Sequence, residues 1–282
     1  MGMSLQHVNF IYGLGSGQEY PALHDISLEI HDGEFIGLVG HSGSGKSTLI
    51  QLLNGLEKAS SGEILFNGKN IYDKDFSFKD LRGKVGLVFQ YPEHQLFETS
   101  VIQDVEYGPR NLGLDQLEVE LRSFRALKQV GIGEDLLDVS PLALSGGQKR
   151  RVAIAGVLAM EPEILILDEP MAGLDPVGRA EILQLLAQIH REKQITVILV
   201  SHSMDDVAQY ANRILVMNDG KLVLDGPPGQ VFRYEEELQQ IGLDVPQPTA
   251  LLHCLAKETT GLQRDGITVK ESVDAILEWL KA

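Results

Sequence analysis

Gly40-His41-Ser42-Gly43-Ser44-Gly45-Lys46-Ser47-Thr48 is the stretch on which the reading of this chain turns. Its first eight residues fit G-x-x-x-x-G-K-[ST]. An apolar run, 35–39, precedes it, and a helical pattern over 46–56 follows. Strand, glycine-rich loop and helix in that order make a trap for phosphate. The glycines admit backbone angles closed to other residues, so successive N–H groups converge on one anion, and the helix N-terminus adds partial positive charge. Lys46 is placed to reach the β- and γ-phosphates of a nucleoside triphosphate, and Ser47 to offer its hydroxyl to Mg²⁺. A bare glycine-rich turn is the competing reading, and the flanking strand and helix count against it.

Downstream, Ile164-Leu165-Ile166-Leu167-Asp168-Glu169 reads as a buried strand ending in two carboxylates. Strand alternation puts Asp168 and Glu169 on different sides, which suits two tasks. Asp168 would hold the Mg²⁺ shell, and Glu169 would polarise the attacking water, as a base or as an orienting group. An exposed acidic turn before Pro170 is the alternative for this segment taken by itself. His202, at the end of the strand pattern 196–200, is placed to reach the γ-phosphate. Gln90, also at a strand end, can ligate Mg²⁺ and the water through its amide. Both gain meaning only beside the phosphate loop.

Around these segments the pattern is α/β. Alternation over 5–12 and 26–30 predicts strands split by the glycine-rich loop 13–20, and 62–66 and 85–89 read as further strands. Between 91 and 160 strand patterns vanish while Pro92, Pro109 and Pro141 punctuate helical runs, which predicts a helical insertion. Parallel strands at 164–167 and 196–200 need a crossover helix, supplied by 181–190. Residues 213–217 and 221–224 form a hairpin around Asn218-Asp219-Gly220. After Gly226 the character changes: Pro227-Pro228 opens a linker-like stretch and 231–240 reads helical. The chain ends in an amphipathic helix with Val269, Val273, Ile276, Leu277 and Leu280 on one stripe. The expected organisation is a cassette over 1–226, helical at about 91–160, with an extension over 227–282.

The 282 residues carry 24 Lys and Arg against 40 Asp and Glu, a formal net charge of −16. That surplus repels a nucleic-acid backbone and argues against a nucleic-acid partner. A lone cysteine, Cys254, excludes an internal disulfide and a thiolate metal site, and points to a reducing compartment. The longest strongly apolar run, 152–160, is bracketed by Arg151 and Glu161 and is far short of the roughly twenty residues a membrane helix needs. MGMSLQHVNF at the start lacks the basic end and apolar stretch of a signal peptide. Composition predicts a soluble cytoplasmic protein, with any membrane role peripheral.

Leu144-Ser145-Gly146-Gly147-Gln148 opens a further helical run. With it the chain resembles the ATP-binding subunit of ABC transporters. The pieces stand in the family's usual order: phosphate loop 40–47, Gln90, signature 144–148, acidic strand 164–169, Ala172-Gly173-Leu174-Asp175, and His202. The resemblance implies a P-loop NTPase fold with a mostly parallel sheet, an antiparallel N-terminal β-subdomain and a helical subdomain. It implies ATP and Mg²⁺ as cofactors, ATP hydrolysis coupled to transport, and Tyr12 stacked on adenine. Glu169, His202 and Lys46 would be catalytic, while Ser47, Gln90 and Asp168 would serve the metal. Two cassettes would meet head to tail, with Ser145, Gly146, Gly147 and Gln148 of one facing the phosphate loop of the other. Met171 departs from the family, which usually has a small hydroxyl residue there.

A finer match follows. Phe89-Gln90-Tyr91-Pro92-Glu93-His94-Gln95-Leu96-Phe97-Glu98 resembles the extended segment after the family glutamine in energy-coupling factor (ECF) vitamin transporters. Residues 149–162, beginning Lys149-Arg150-Arg151, are similar to the second of their two ATPase subunit types, although cobalt- and nickel-type importers share these motifs. The implied role is the ATPase of an ECF-type importer of vitamins or metal ions, bound peripherally to the cytoplasmic face of the cell membrane. Its partners would be a related second ATPase (or a second copy), a membrane coupling subunit, and indirectly a substrate-binding membrane subunit. The short helix expected over Pro92–Glu98 would offer an apolar floor, Leu96 and Phe97, between Glu93 and Glu98 to an arginine-bearing coupling helix. A solvated helix cap is the alternative there. The C-terminal stripe would either touch the partner ATPase or pack on its own cassette. An ordinary ABC importer subunit and a non-transport ABC ATPase are the rival functions. Against the second stand the single cassette, the single cysteine, and a stretch of only 91–144 between Gln90 and the signature, too short for a long coiled coil.

Overall fold

In the computed structural model, which describes residues 2–263 and 265–281, two sheets share the phosphate loop between them. β1 (Gly2–Tyr12) and β2 (Tyr20–His31) pair antiparallel. β3 (Phe35–Val39), buried at every position, runs into the loop and α1 (Lys46–Leu53). β4 (Ser61–Phe66) and β5 (Lys69–Asn70) then return to the first sheet, whose order is β2-β1-β4-β5. α1 stops short of its expected end at 56. Gly55, at φ 71°, lets its own N–H reach Leu52 and that of Leu56 reach Gln51, and this closes the helix.

The helical part comes next. A short α2 (Phe78–Lys84), not anticipated from the sequence, leads into β6 (Val85–Val88). A 3₁₀ turn over Pro92–Gln95 precedes α3 (Val101–Leu112), α4 (Gln116–Gln129) and α5 (Gly146–Leu158). β7 (Ile164–Asp168), the crossover helix α6 (Pro176–Lys193) and β8 (Thr196–Val200) form the parallel unit read from the sequence. α7 (Met204–Tyr210) and the hairpin β9 (Arg213–Asn218) with β10 (Lys221–Gly226) complete a six-stranded sheet in the order β10-β9-β3-β8-β7-β6.

This sheet is greasy on both faces, as parallel strands require. Ile164 and Ile166 join one core with α1 and the antiparallel sheet, and Leu165 and Leu167 join another with the helical part and α6. Its register aligns the strand ends: Val88 sits opposite Leu167, Asp168 opposite Val200, and Leu38 also opposite Val200. Gln90, Gly40, Glu169 and His202 all leave the sheet at this one carboxyl edge, where α/β sheets place ligands.

The C-terminal region differs from its reading. Pro227-Pro228 does not open a linker. Pro228 starts α8 (Pro228–Val231), where a missing N–H costs nothing. Val231 and Phe232, each 2% exposed, enter a core with Val39, Val207 and Val216. The helix expected over 231–240 is broken by i→i+3 bonds at Arg233 and Tyr234, and α9 (Glu235–Gln240) resumes after them. α10 (Gln247–Glu258) and α11 (Val269–Lys281) form a separate small core. Into it α11 sends Ala275, Ile276 and Trp279. Val269, Val273, Leu277 and Leu280 stay exposed, so most of the predicted stripe does not pack on its own cassette.

Candidate nucleotide site

The loop between β3 and α1 is shaped by glycine at two positions above all. Gly43 has φ 83° in open space. Gly45 has φ 101°, and a Cβ there would stand 2.9 Å from the Ala22 carbonyl oxygen. Lys46 folds back over the loop, its Nζ donating to the carbonyls of Gly40 at 2.7 Å and His41 at 3.0 Å. Burial holds its ammonium below the ordinary lysine range, and the charges of Glu169 and Asp168 offset part of that. His41 turns away toward the β9–β10 turn, its Nε2 2.9 Å from Asn218 Oδ1, while Ser42 is exposed. Ser44 is buried, and its hydroxyl has no hydrogen-bond partner among the described residues. Thr48, on α1, lies 3.0 Å from the Tyr12 hydroxyl, and the Tyr12 ring stands edge-on against Phe10. The aromatic expected under a base is thereby tied to the helix that follows the phosphate loop.

Ser47 donates to Asp168 Oδ2 at 3.3 Å, which brings the two expected metal ligands together. Burial and then the Glu169 charge push the Asp168 carboxyl up, against the pull of Ser47, Lys46 and His202. Their oxygens suit Mg²⁺, a hard ion that takes one or two protein ligands and completes its shell with phosphate and water.

Glu169 is aimed differently from Asp168, though not by strand alternation as the sequence suggested. β7 ends at Asp168, and Glu169 has left it with φ 47°. Its carboxylate lies between two neighbouring strand ends: Oε1 is 2.5 Å from His202 Nε2, and Oε2 accepts from Gln90 Nε2 at 3.5 Å. A carboxylate so bracketed can polarise a water. An open cleft of 350 Å³ lies beside it, lined by Glu169, Gly173, Arg179 and His202.

The signature residues form their own unit. Ser145 caps α5 in a reciprocal box: its N–H donates to Gln148 Oε1 at 2.9 Å, and its hydroxyl accepts from the Gln148 N–H at 3.3 Å. Gly146 and Gly147 face open space, and no hydrogen bond joins residues 145–148 to the phosphate loop among the described residues. A helix N-terminus left open in this way can receive an anion from outside.

The chain matches the ABC transporter family over residues 23–172. It is 53% identical over 281 residues to the energy-coupling factor transporter ATP-binding protein EcfA2 of Caldanaerobacter subterraneus subsp. tengcongensis, covering 100% of this chain and 98% of that one. The chain belongs to the ABC transporter family, in its energy-coupling factor group. EcfA2 of Clostridium perfringens is 50% identical over 282 residues, covering 100% of this chain and 99% of that one. Among solved structures, cbiO1 of Clostridium perfringens, part of the ABC transporter complex cbiONQ, superposes with a TM-score of 0.73 at 44% identity, covering 85% of this chain and 93% of that one. The ATP-binding cassette MJ0796, a dimer in a post-hydrolysis state with ADP and Pi, gives a TM-score of 0.70 at 31% identity, covering 80% of this chain and 98% of that one. As an ABC ATPase of the energy-coupling factor group, this protein hydrolyses ATP to drive transport.

Sequence reasoning about this ABC ATPase missed three side chains that the fold makes important. Arg150 is buried and ion-paired to Glu93, whereas the sequence offered it only as part of the motif over 149–162 and gave it no partner. Glu93 is therefore committed inside the molecule, and the expected acidic rim at 93 is corrected. The expected helix over 92–98 shrinks to the 3₁₀ turn Pro92–Gln95, because Leu96 is already extended. Asp104 on α3 holds the following stretch in place by accepting from the N–H groups of Phe97 and Glu98. Arg179 pairs with Asp206 across α6 and α7 at 2.5 Å. No local sequence pattern marks any of these contacts.

Proposed function

We propose that this ATPase works as one half of a head-to-tail pair beneath a membrane partner, with Glu169 setting up the water that attacks ATP. The observation that carries it is the Glu169 carboxylate between Gln90 and His202, beside the Ser47–Asp168 pair. Lys46, Thr48 and the loop amides of 40–47 bind the phosphates, and Tyr12 carries the base. Ser47, Asp168 and Gln90 hold Mg²⁺, which when bound offsets charge on the β- and γ-phosphates. Glu169 orients the water and draws its proton, and His202 steadies that carboxylate from the next strand. Ser145 to Gln148 close over the γ-phosphate bound by the partner ATPase, a related subunit or a second copy. The open signature helix supports that arrangement.

An apolar groove of 530 Å³ supports docking of a membrane coupling subunit on this face, with the protein held at the cytoplasmic side of the membrane through that partner. Leu56, Phe89, Leu96, Phe97, Tyr107 and Met160 are among its walls. Phe97, 64% exposed, stands edge-on against Tyr107 at 5.0 Å. With Glu93 committed to Arg150 and Asp104 to the N–H groups of Phe97 and Glu98, Glu98 is the acid of the expected rim left for a basic guest.

Glu169→Gln tests the core of this reading. ATP binding by the full-length chain should persist while hydrolysis falls by about 10²-fold or more. Lys46→Ala should instead weaken binding about 10-fold or more, the value of charge-assisted bonds to phosphate. Hydrolysis by Glu169→Gln equal to the parent's, with any partner ATPase disabled, would overturn it.

A further inference from the structure

Arg150 lies on α5, five residues beyond the cap Ser145, and its side chain is 3% exposed. One guanidinium there reaches two other segments. Nε and Nη2 donate to the two carboxylate oxygens of Glu93 at 3.1 and 2.7 Å. Nη1 donates to the carbonyls of Pro170 and Ala172, both at 3.0 Å. Glu93 stands three residues after Gln90. Pro170 follows Glu169 directly, and Ala172 is two residues further on. The signature helix is therefore pinned at one point to both of the segments whose tips meet at the Glu169 carboxylate.

The chemistry at this point is demanding. A planar fork can satisfy a carboxylate edge-on and still present a third nitrogen to two carbonyls, whereas an ammonium offers its donors from a single atom. Burial alone would push the Glu93 carboxyl up. The Arg150 bonds and charge, its own backbone amide and His94 override that and hold it below the ordinary glutamate range, so the pair stays ionic. Both clamped segments also begin on left-handed non-glycine residues, Tyr91 at φ 53° and Glu169 at φ 47°. Such conformations persist only where the surroundings over-determine them. The Gln90–Glu169 contact, at 3.5 Å, sits at the outer limit of hydrogen bonding, so a small shift of either segment breaks it.

We propose that Arg150 is a positioning residue for ATP hydrolysis: through Glu93 and the carbonyls of Pro170 and Ala172 it keeps Gln90 and Glu169 in register with the signature helix. This rests on the role given to Glu169 above and is independent of the membrane-docking groove. Arg150 acts through other residues, so its loss should appear in turnover rather than in nucleotide capture.

The test uses the full-length chain with Arg150→Gln, Glu93→Gln, the double variant and, in parallel, Glu169→Gln. Hydrolysis is read as kcat and KM, binding with a fluorescent ATP analogue, and folding by a cooperative melt above the assay temperature. Folded Arg150→Gln should lose about 10-fold or more in kcat, since small misplacements of reacting groups are costly. KM and analogue affinity should stay within about threefold of the parent. Glu93→Gln should lose less, and the double variant no more than Arg150→Gln alone, because both act through one contact. Unchanged kcat in folded Arg150→Gln or Glu93→Gln overturns the proposal, as does a parallel loss of binding and turnover. If Arg150→Gln does not fold, Glu93→Gln decides alone, since it keeps Arg150 and its two carbonyl bonds. Full hydrolysis by Glu169→Gln would instead overturn the site reading, which separates the two failures.

Discussion

At Asp168 burial and the neighbouring Glu169 charge oppose the ionised carboxylate, while Ser47, Lys46 and His202 favour it, and the opposing effects win. A carboxyl whose folded pKa lies above its unfolded value gives full stabilisation below the unfolded pKa and loses it as pH rises through the folded one. Ionising Asp168 in the nucleotide-free fold is therefore costly, and a bound cation would offset that cost. Asp168→Asn should melt at a higher temperature than the parent at pH 7, with the gap closing as pH falls below the ordinary aspartate range. Its Mg²⁺-dependent hydrolysis should drop by about 10²-fold or more. Melting curves from pH 4 to 8, paired with a hydrolysis assay, check both halves. The residue types at this site were legible because each task needs a particular functional group at a fixed spacing from a strand or helix end. The strained backbone at Glu169 was not, because a positive φ in a glutamate leaves no mark on composition.

Among the elements, the segment after β6 was read best in position and least well in detail. Gln95, Leu96 and Phe97 do line an apolar groove, as the two apolar residues suggested. Glu93, however, faces inward because Arg150, buried under the same turn, must be neutralised. Phe97 is the sharper probe of docking, being large, exposed and supported mainly by Tyr107. Phe97→Glu should change stability by no more than about 0.5 kcal/mol, as at other exposed positions, and leave ATP binding by the isolated chain intact. Co-purification with the membrane partner should fall several-fold. Pull-down from cells expressing the whole complex, with ATP-analogue binding as control, reads the outcome; undiminished recovery would place the docking surface elsewhere.

For the whole molecule, α11 raises the question of what covers its outer face. Val273 and Leu277 are about half exposed while Ile276 and Trp279 anchor the helix to the α10 side, so the two faces can be tested separately. With both Val273 and Leu277 changed to Asp, the isolated chain should keep its melting temperature within a few degrees. Association with the partner ATPase should weaken more in nucleotide-free buffer than with ATP, since ATP holds the phosphate loops and signatures together by a second route. Size-exclusion with light scattering, with and without ATP, measures this. Equal loss in both conditions would argue against a tether.

Among described residues no helix is long and apolar enough to cross a membrane, in keeping with the apolar run lengths in the sequence. By itself the sequence determined the phosphate loop, the acidic strand, the signature and most of the order of strands and helices through the cassette, α2, β5 and α7 excepted. These depend on local periodicity and on residue types at short spacing, which the chain carries within each segment. Only the tertiary structure decided that Gln90 and His202 converge on Glu169, that 227–245 belong to a core with α7 and β9, and that Arg150 binds Glu93 across 57 residues. Those outcomes depend on which buried charges and apolar faces meet once distant segments pack, and a buried arginine and an exposed one are spelled alike.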